Sequence, residues 1–107
     1  MTEYIMIYWT AGGIDEARQV AHKLVEEKLV ACANIIPWIE SIFLWNEVID
    51  TQQETEVVFK TTKKLFTAVK EMIISHSKYE VPEVLMVPIL EGNQEYLDWV
   101  KESTKKA

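Results

Sequence analysis

Ala31-Cys32-Ala33-Asn34-Ile35-Ile36-Pro37-Trp38-Ile39-Glu40-Ser41-Ile42-Phe43-Leu44-Trp45-Asn46-Glu47-Val48 decides how this chain folds. The run is rich in β-branched and aromatic residues with Pro37 as its one interruption, and it reads as a strand. A second strand-like run, Glu54 to Thr61, follows the polar residues Asp50, Thr51, Gln52 and Gln53, so residues 31 to 61 predict a long hairpin. At about 3.3 Å per residue the first strand extends roughly 55 to 60 Å, whereas a domain of this size has a radius of gyration near ~13 Å. The hairpin therefore bends or protrudes. Past Pro37, alternation puts Ile39, Phe43 and Trp45 on one face and Trp38, Ile42, Leu44 and Val48 on the other, so neither face is polar. Each exposed aromatic leaves roughly 150 to 250 Å² wet, at about 25 cal/mol per Å². The partner that best covers such a ribbon is another copy of the chain, because the edge offers unpaired N–H and C=O groups and the faces offer apolar area. A homo-oligomer is expected; the alternative is a hairpin that curls back over its own domain.

Outward from the hairpin, Tyr4 to Trp9 is a continuous apolar run closed by Thr10, Ala11, Gly12 and Gly13, the pattern of a buried, central strand. From Ile14 the period becomes helical, with Ile14, Ala17, Val20, Ala21, Leu24 and Val25 on one face and Asp15 and Glu16 in the first turn, at the positive end of the helix dipole. Lys63 to Ser75 returns to helical spacing through Leu65, Val69, Met72 and Ile73 and stops near His76. Val84 to Leu90 reads as a further strand, confined by Pro88 to a sheet edge or bulge. Gly92 and Asn93 open a short C-terminal helix carrying Tyr96, Leu97 and Val100, with Asn93 as N-cap. The order βαββαβα predicts an α+β fold of the ferredoxin-like βαββαβ type: an antiparallel sheet, both main helices on one face, a long protruding β2-β3 hairpin, and the other face uncovered.

The 107 residues suit one domain, 1–107, with 49% hydrophobic and 26% charged residues placing it in the globular range. No apolar run approaches the roughly 18 residues of a membrane span, and no signal-peptide pattern opens the chain, so a cytoplasmic protein that does not engage membranes is expected. Cys32 is the sole cysteine, which excludes an intrachain disulfide and multi-thiolate metal sites. Eleven Lys plus Arg against 17 Asp plus Glu give a formal charge of −6, and Arg18 is the only arginine. That balance argues against nucleic acid as a partner.

Several separated motifs then carry a resemblance. Ala31 to Pro37, Ser41-Ile42-Phe43-Leu44-Trp45, Phe59-Lys60-Thr61-Thr62, Tyr79-Glu80-Val81-Pro82-Glu83 and Glu91-Gly92-Asn93 with Tyr96-Leu97-Asp98-Trp99 stand in the order and spacing of the CutA family of divalent-cation tolerance proteins, and the chain is identified as resembling that family over nearly its whole length. The resemblance implies a ferredoxin-like fold, a homotrimer built through the hairpin strands, a cytoplasmic location, a role in tolerance of copper and other divalent metals, and no enzymatic reaction. The number three comes from the resemblance alone. Where family copper ligands have been proposed, a cysteine ends the first strand and a His-His pair precedes the Tyr-containing motif; here those positions hold Trp9, His76 and Ser77. Lys78 also replaces a family proline, and the family's glycine after Trp45 is missing.

His76 is thus the candidate ligand for copper or another divalent cation, with no cofactor otherwise expected, and its alternative is a cation at a helix C-terminus. Cys32, Lys60, Tyr79, Glu80 and Glu83 are candidates for a cleft between subunits; Tyr79, Glu80 and Glu83 with Lys60 suit a small anion or polar ligand, or else a structural salt-bridge network. Cys32 also fits a small buried thiol, and His22 falls off the apolar helix face, in solvent. Gly12-Gly13 resembles a phosphate-binding turn but lacks the rest of any such motif. An acyl-phosphatase site would need an arginine near the first turn, a hydrolytic triad a nucleophile elbow, and an RNA-binding sheet a glycine-aromatic motif; none is present. A trimeric small-molecule sensor or scaffold resembling the PII signalling proteins is the rival reading, without a specific metal site.

Overall fold

The computed structural model describes residues 2–106, so Met1 and Ala107 of the expected 1–107 domain lie outside the described residues. The elements are β1 (Tyr4–Ala11), α1 (Ile14–Glu26), β2 (Cys32–Trp45), β3 (Val48–Thr62), a 3₁₀ turn (Lys63–Leu65), α2 (Phe66–His76), β4 (Val84–Pro88) and α3 (Gln94–Glu102). All pairings are antiparallel, in the order β2-β3-β1-β4. β1 is interior, as its unbroken apolar run requires, and β4, with Pro88 as its last residue, is an edge.

The odd positions of β1, Ile5, Ile7, Trp9 and Ala11, face the helices together with Val57 and Phe59 of β3. Against them pack Ala17, Val20, Ala21 and Leu24 of α1 and Val69 and Ile73 of α2, which makes the main core. Trp9 stacks on Phe59 at 6.4 Å between ring centroids. Val25, expected on the buried stripe, is exposed beside the fully buried Leu24.

Two expectations need correction. The second sheet face is not wholly uncovered: α3 packs Leu97 and Val100 with Tyr4 and Ala31, closing one end of it. Asn93 caps this helix, its side chain accepting from Glu95 N at 3.1 Å. The hairpin turns directly after Trp45, where the family's glycine is missing. Trp45 pairs with Val48, and the two residues between them, Asn46 (φ 50°) and Glu47 (φ 66°), both have positive φ, the requirement of a tight two-residue turn. Asp50 to Gln53 belong to β3, in the exposed part of the strand that also carries Val48 and Ile49. The turn also changes the faces: Val48 lies opposite Trp45 and Ile49 opposite Leu44, so Val48 shares the Trp45 face.

A bulge separates Ile36, paired with Glu56, from Ile39, paired with Glu54, so Pro37 and Trp38 together oppose a single residue of β3. Trp38 takes φ 62° there. The extra residue switches the alternation, so that Ile36 shares a face with Ile39, Ser41, Phe43 and Trp45. Beyond the bulge the hairpin leaves the body: the principal extents are 44 × 25 × 21 Å and the radius of gyration is 14.3 Å.

Candidate functional site

Beyond the bulge, the face of the hairpin that bears Ser41, Phe43 and Trp45 on β2 and Asp50, Gln52 and Glu54 on β3 looks toward the connection between α2 and β4. Tyr79, Glu80, Val81 and Glu83 of that connection, with Thr10 of β1, complete a cavity of about 590 Å³. Among its lining residues every charged side chain is a carboxylate.

Two hydrogen-bonded groups hold the connection in place. Glu16, third residue of α1 and buried, turns its carboxylate back: one oxygen accepts from the N–H of Gly12 at 2.9 Å and the other from the N–H of Lys78 at 2.9 Å. This ties the start of the helix to the far connection and occupies the Gly12 N–H that a phosphate-binding turn would present. Alongside it, the Tyr79 hydroxyl donates to buried Glu54. Burial, followed by that hydrogen bond and the nearby carboxylates of Glu54 and Glu16, pushes the Tyr79 phenol well above its ordinary range.

The second group centres on Thr10. Its hydroxyl oxygen lies 2.7 Å from Glu56 and 2.8 Å from Glu83. A single hydroxyl proton serves only one of them, so two carboxyl groups compete for one donor. Burial raises the Glu56 carboxyl above its ordinary value of 4.5; Glu83 and Glu54 raise it further, and the Thr10 hydrogen bond only partly opposes them.

Within one chain the candidate cleft residues divide in two. Tyr79, Glu80 and Glu83 line the cavity. Cys32 and Lys60 face each other across β2 and β3, four positions along β3 from Glu56, where Lys60 donates to Asn34 and the half-buried Cys32 thiol sits 3.4 Å from the Tyr96 hydroxyl of α3. That thiol contact, together with burial, pushes the Tyr96 phenol up to about 12. Lys60 is therefore not a cation of the cavity.

His76 is exposed at the end of α2, with Nδ1 2.9 Å from the Met72 carbonyl and 3.0 Å from the Ser75 hydroxyl. A carbonyl only accepts, so Nδ1 is the donor to Met72 and Nε2 is the ring nitrogen left outside this contact. Trp9, at the position where the resemblance puts a cysteine, is fully buried, its indole nitrogen without a hydrogen-bond partner among the described residues. It supplies no ligand. Among the described residues no three His, Cys, Asp or Glu side chains converge to hold a metal ion. His22 is exposed beside a shallow second hollow formed with Arg18, Val25 and Ile35.

Thr10, Phe43, Trp45, Asp50 and Glu54 were not singled out from the sequence as cavity residues, nor Glu56 as their neighbour. The signal available was the spacing of Glu54 and Glu56, two apart on a strand and hence on one face; placing Thr10 beside them needed the β1-β3 register.

Four antiparallel strands in the order β2-β3-β1-β4, two helices on one face and a hairpin that outgrows the body define a ferredoxin-like α+β domain with a projecting arm and a side cavity. The sequence pattern of the CutA1 divalent ion tolerance protein family matches residues 5–103, and the chain belongs to that family. It is 42% identical over 104 residues to the divalent-cation tolerance protein CutA of Thermus thermophilus, covering 97% of this chain and 99% of that one. The solved Thermus structure superposes with a TM-score of 0.92 at 40% identity, over 95% of this chain and 99% of the other. The rice CutA1 crystal structure gives a TM-score of 0.95 at 36% identity, over 99% and 97% of the two chains. A rice protein named CutA 1, chloroplastic, is 37% identical over 96% of this chain, which spans only 58% of that relative's length. A structure described as the periplasmic divalent cation tolerance protein CutA of Archaeoglobus fulgidus matches at 35% identity and a TM-score of 0.92, over 95% and 99% of the two chains.

Proposed function

We propose that this protein acts in divalent-cation tolerance as a homotrimer that binds copper or another divalent cation weakly and catalyses no reaction. The names of its relatives support the tolerance role. Self-association is supported by the hairpin, whose Trp38, Ile42, Leu44 and Ile49 are each at least 67% exposed. That much apolar surface on one arm is the signature of an interaction face. Three copies, rather than two, follow the family resemblance. The setting proposed is the cytoplasm, which suits a lone free thiol, with neither nucleic acid nor membrane as partner for a chain of charge −6.

One observation carries the metal part: His76 donates Nδ1–H to the Met72 carbonyl, which fixes the ring and leaves Nε2 as a ligand, the arrangement common to metal-bound imidazoles. A single imidazole binds weakly, so tight coordination requires groups from more than one chain. Calorimetric titration with copper(II) tests this. His76→Ala is expected to weaken binding about tenfold or more, ~1.4 kcal/mol; an unchanged isotherm removes His76 from the site.

The 590 Å³ cavity favours a second reading, a PII-like trimeric small-molecule sensor or scaffold without a specific metal site. Titrating copper, zinc and nickel against a nucleotide and metabolite panel separates the two.

A further inference from the structure

The cavity beside the hairpin combines carboxylates with aromatic rings and has no cationic side chain in its lining. Its volume, about 590 Å³, falls in the range of small-molecule sites. Phe43 and Trp45 line it from the hairpin and Tyr79 from the α2-β4 connection, so aromatic rings enter from two independent segments of the chain. Asp50, Glu54, Glu80 and Glu83 are distributed among them, and no lysine, arginine or histidine lines the space.

Two physical arguments fix the class of ligand. Divalent cations need several oxygen ligands converging within about 2.0 to 2.6 Å. These carboxylates do not converge in that way, and Glu54 and Glu83 are already engaged by the hydroxyls of Tyr79 and Thr10. The carboxylates therefore act as a diffuse negative field, which repels anions and concentrates cations. The rings contribute apolar contact area, and their faces attract ammonium groups. Field and rings together match a molecule that carries both a positive charge and an apolar body.

We propose that the cavity binds an organic cation, a primary ammonium group on an apolar body of about the size of one aromatic ring. The assignment deepens the small-molecule reading of the cavity and is independent of metal binding at His76. The Glu56–Thr10–Glu83 group borders the site, and an ammonium group there relieves the crowding of carboxylates around a single hydroxyl.

Benzylammonium and benzyl alcohol are the probes, because they share a ring and nearly a shape and differ in charge. Titration calorimetry on the intact protein, paralleled by tryptophan fluorescence, is expected to give benzylammonium an affinity at least about tenfold higher than the alcohol, falling as salt is raised. The double variant Glu80→Gln/Glu83→Gln, in which both substituted residues are exposed, is expected to lose about tenfold toward benzylammonium and nothing toward the alcohol. Glu95→Gln on α3, outside the cavity, is expected to leave both unchanged. Equal affinity for the two probes, or full benzylammonium affinity in the double variant, overturns the cation assignment while leaving a small-molecule cavity in place. Failure of both probes to bind at millimolar concentration overturns the assignment and the small-molecule reading together.

Discussion

Thr10 offers one proton to two carboxylates, and the electrostatics of the site follow from that shortage. Glu56 is the member of the group whose carboxyl is raised, chiefly by burial. The folded chain therefore holds a proton on Glu56 more tightly than the unfolded chain does. The stabilisation this provides is complete below the ordinary value of 4.5 and is lost as pH rises through the higher folded-state value. In Glu56→Gln that loss is absent. Its stability relative to the parent is expected to improve as pH rises from about 4 toward 7, read from urea midpoints; a difference that stays constant across that interval contradicts the role given to Glu56. Tyr79 is a second test at the same scale. Removing its hydroxyl in Tyr79→Phe leaves buried Glu54 without its donor, with an expected cost of about 1 to 3 kcal/mol in chemical denaturation. No measurable change would mean that water replaces the phenol.

At the scale of the element, the hairpin shows what a sequence conveys and what it hides. Strand content, the central place of β1, the edge place of β4 and the capped start of α3 all follow from runs of apolar residues, one proline and one asparagine. The turn was harder to read. Asn46 and Glu47 take the positive φ that glycine normally supplies, so the absent glycine hides the geometry of the turn. The bulge at Pro37 and Trp38 was legible as an interruption, though not as a switch of faces, because parity depends on pairing with β3. Glu47→Gly relieves a side chain from the left-handed region, and that side chain makes no hydrogen bond among the described residues. It is expected to stabilise the protein by about 0.5 to 1 kcal/mol, seen as a higher thermal midpoint; a lower midpoint would contradict the turn geometry. The candidate site was partly legible for the same reason: Tyr79, Glu80 and Glu83 sit in one contiguous motif, whereas Thr10, Phe43 and Glu54 reach the cavity only through strand register and the projection of the hairpin.

For the whole molecule, the 44 Å long axis results from strands of 14 and 15 residues on a body whose other extents are 25 and 21 Å. The inner face of the arm borders the cavity. Its outer face carries Ile42, Leu44 and Ile49, the last two directly opposite each other, and gives them to solvent. Hydrophobic area presented in this way favours association through the arm. Ile42→Asp, which puts a charge into that face, is expected to release single chains while leaving the body folded, since Ile42 takes no part in the core. Sedimentation velocity on the unaltered protein at micromolar concentration tests the proposed assembly most directly: a single species of three chain masses is predicted, and a stable 12.4 kDa monomer would contradict it.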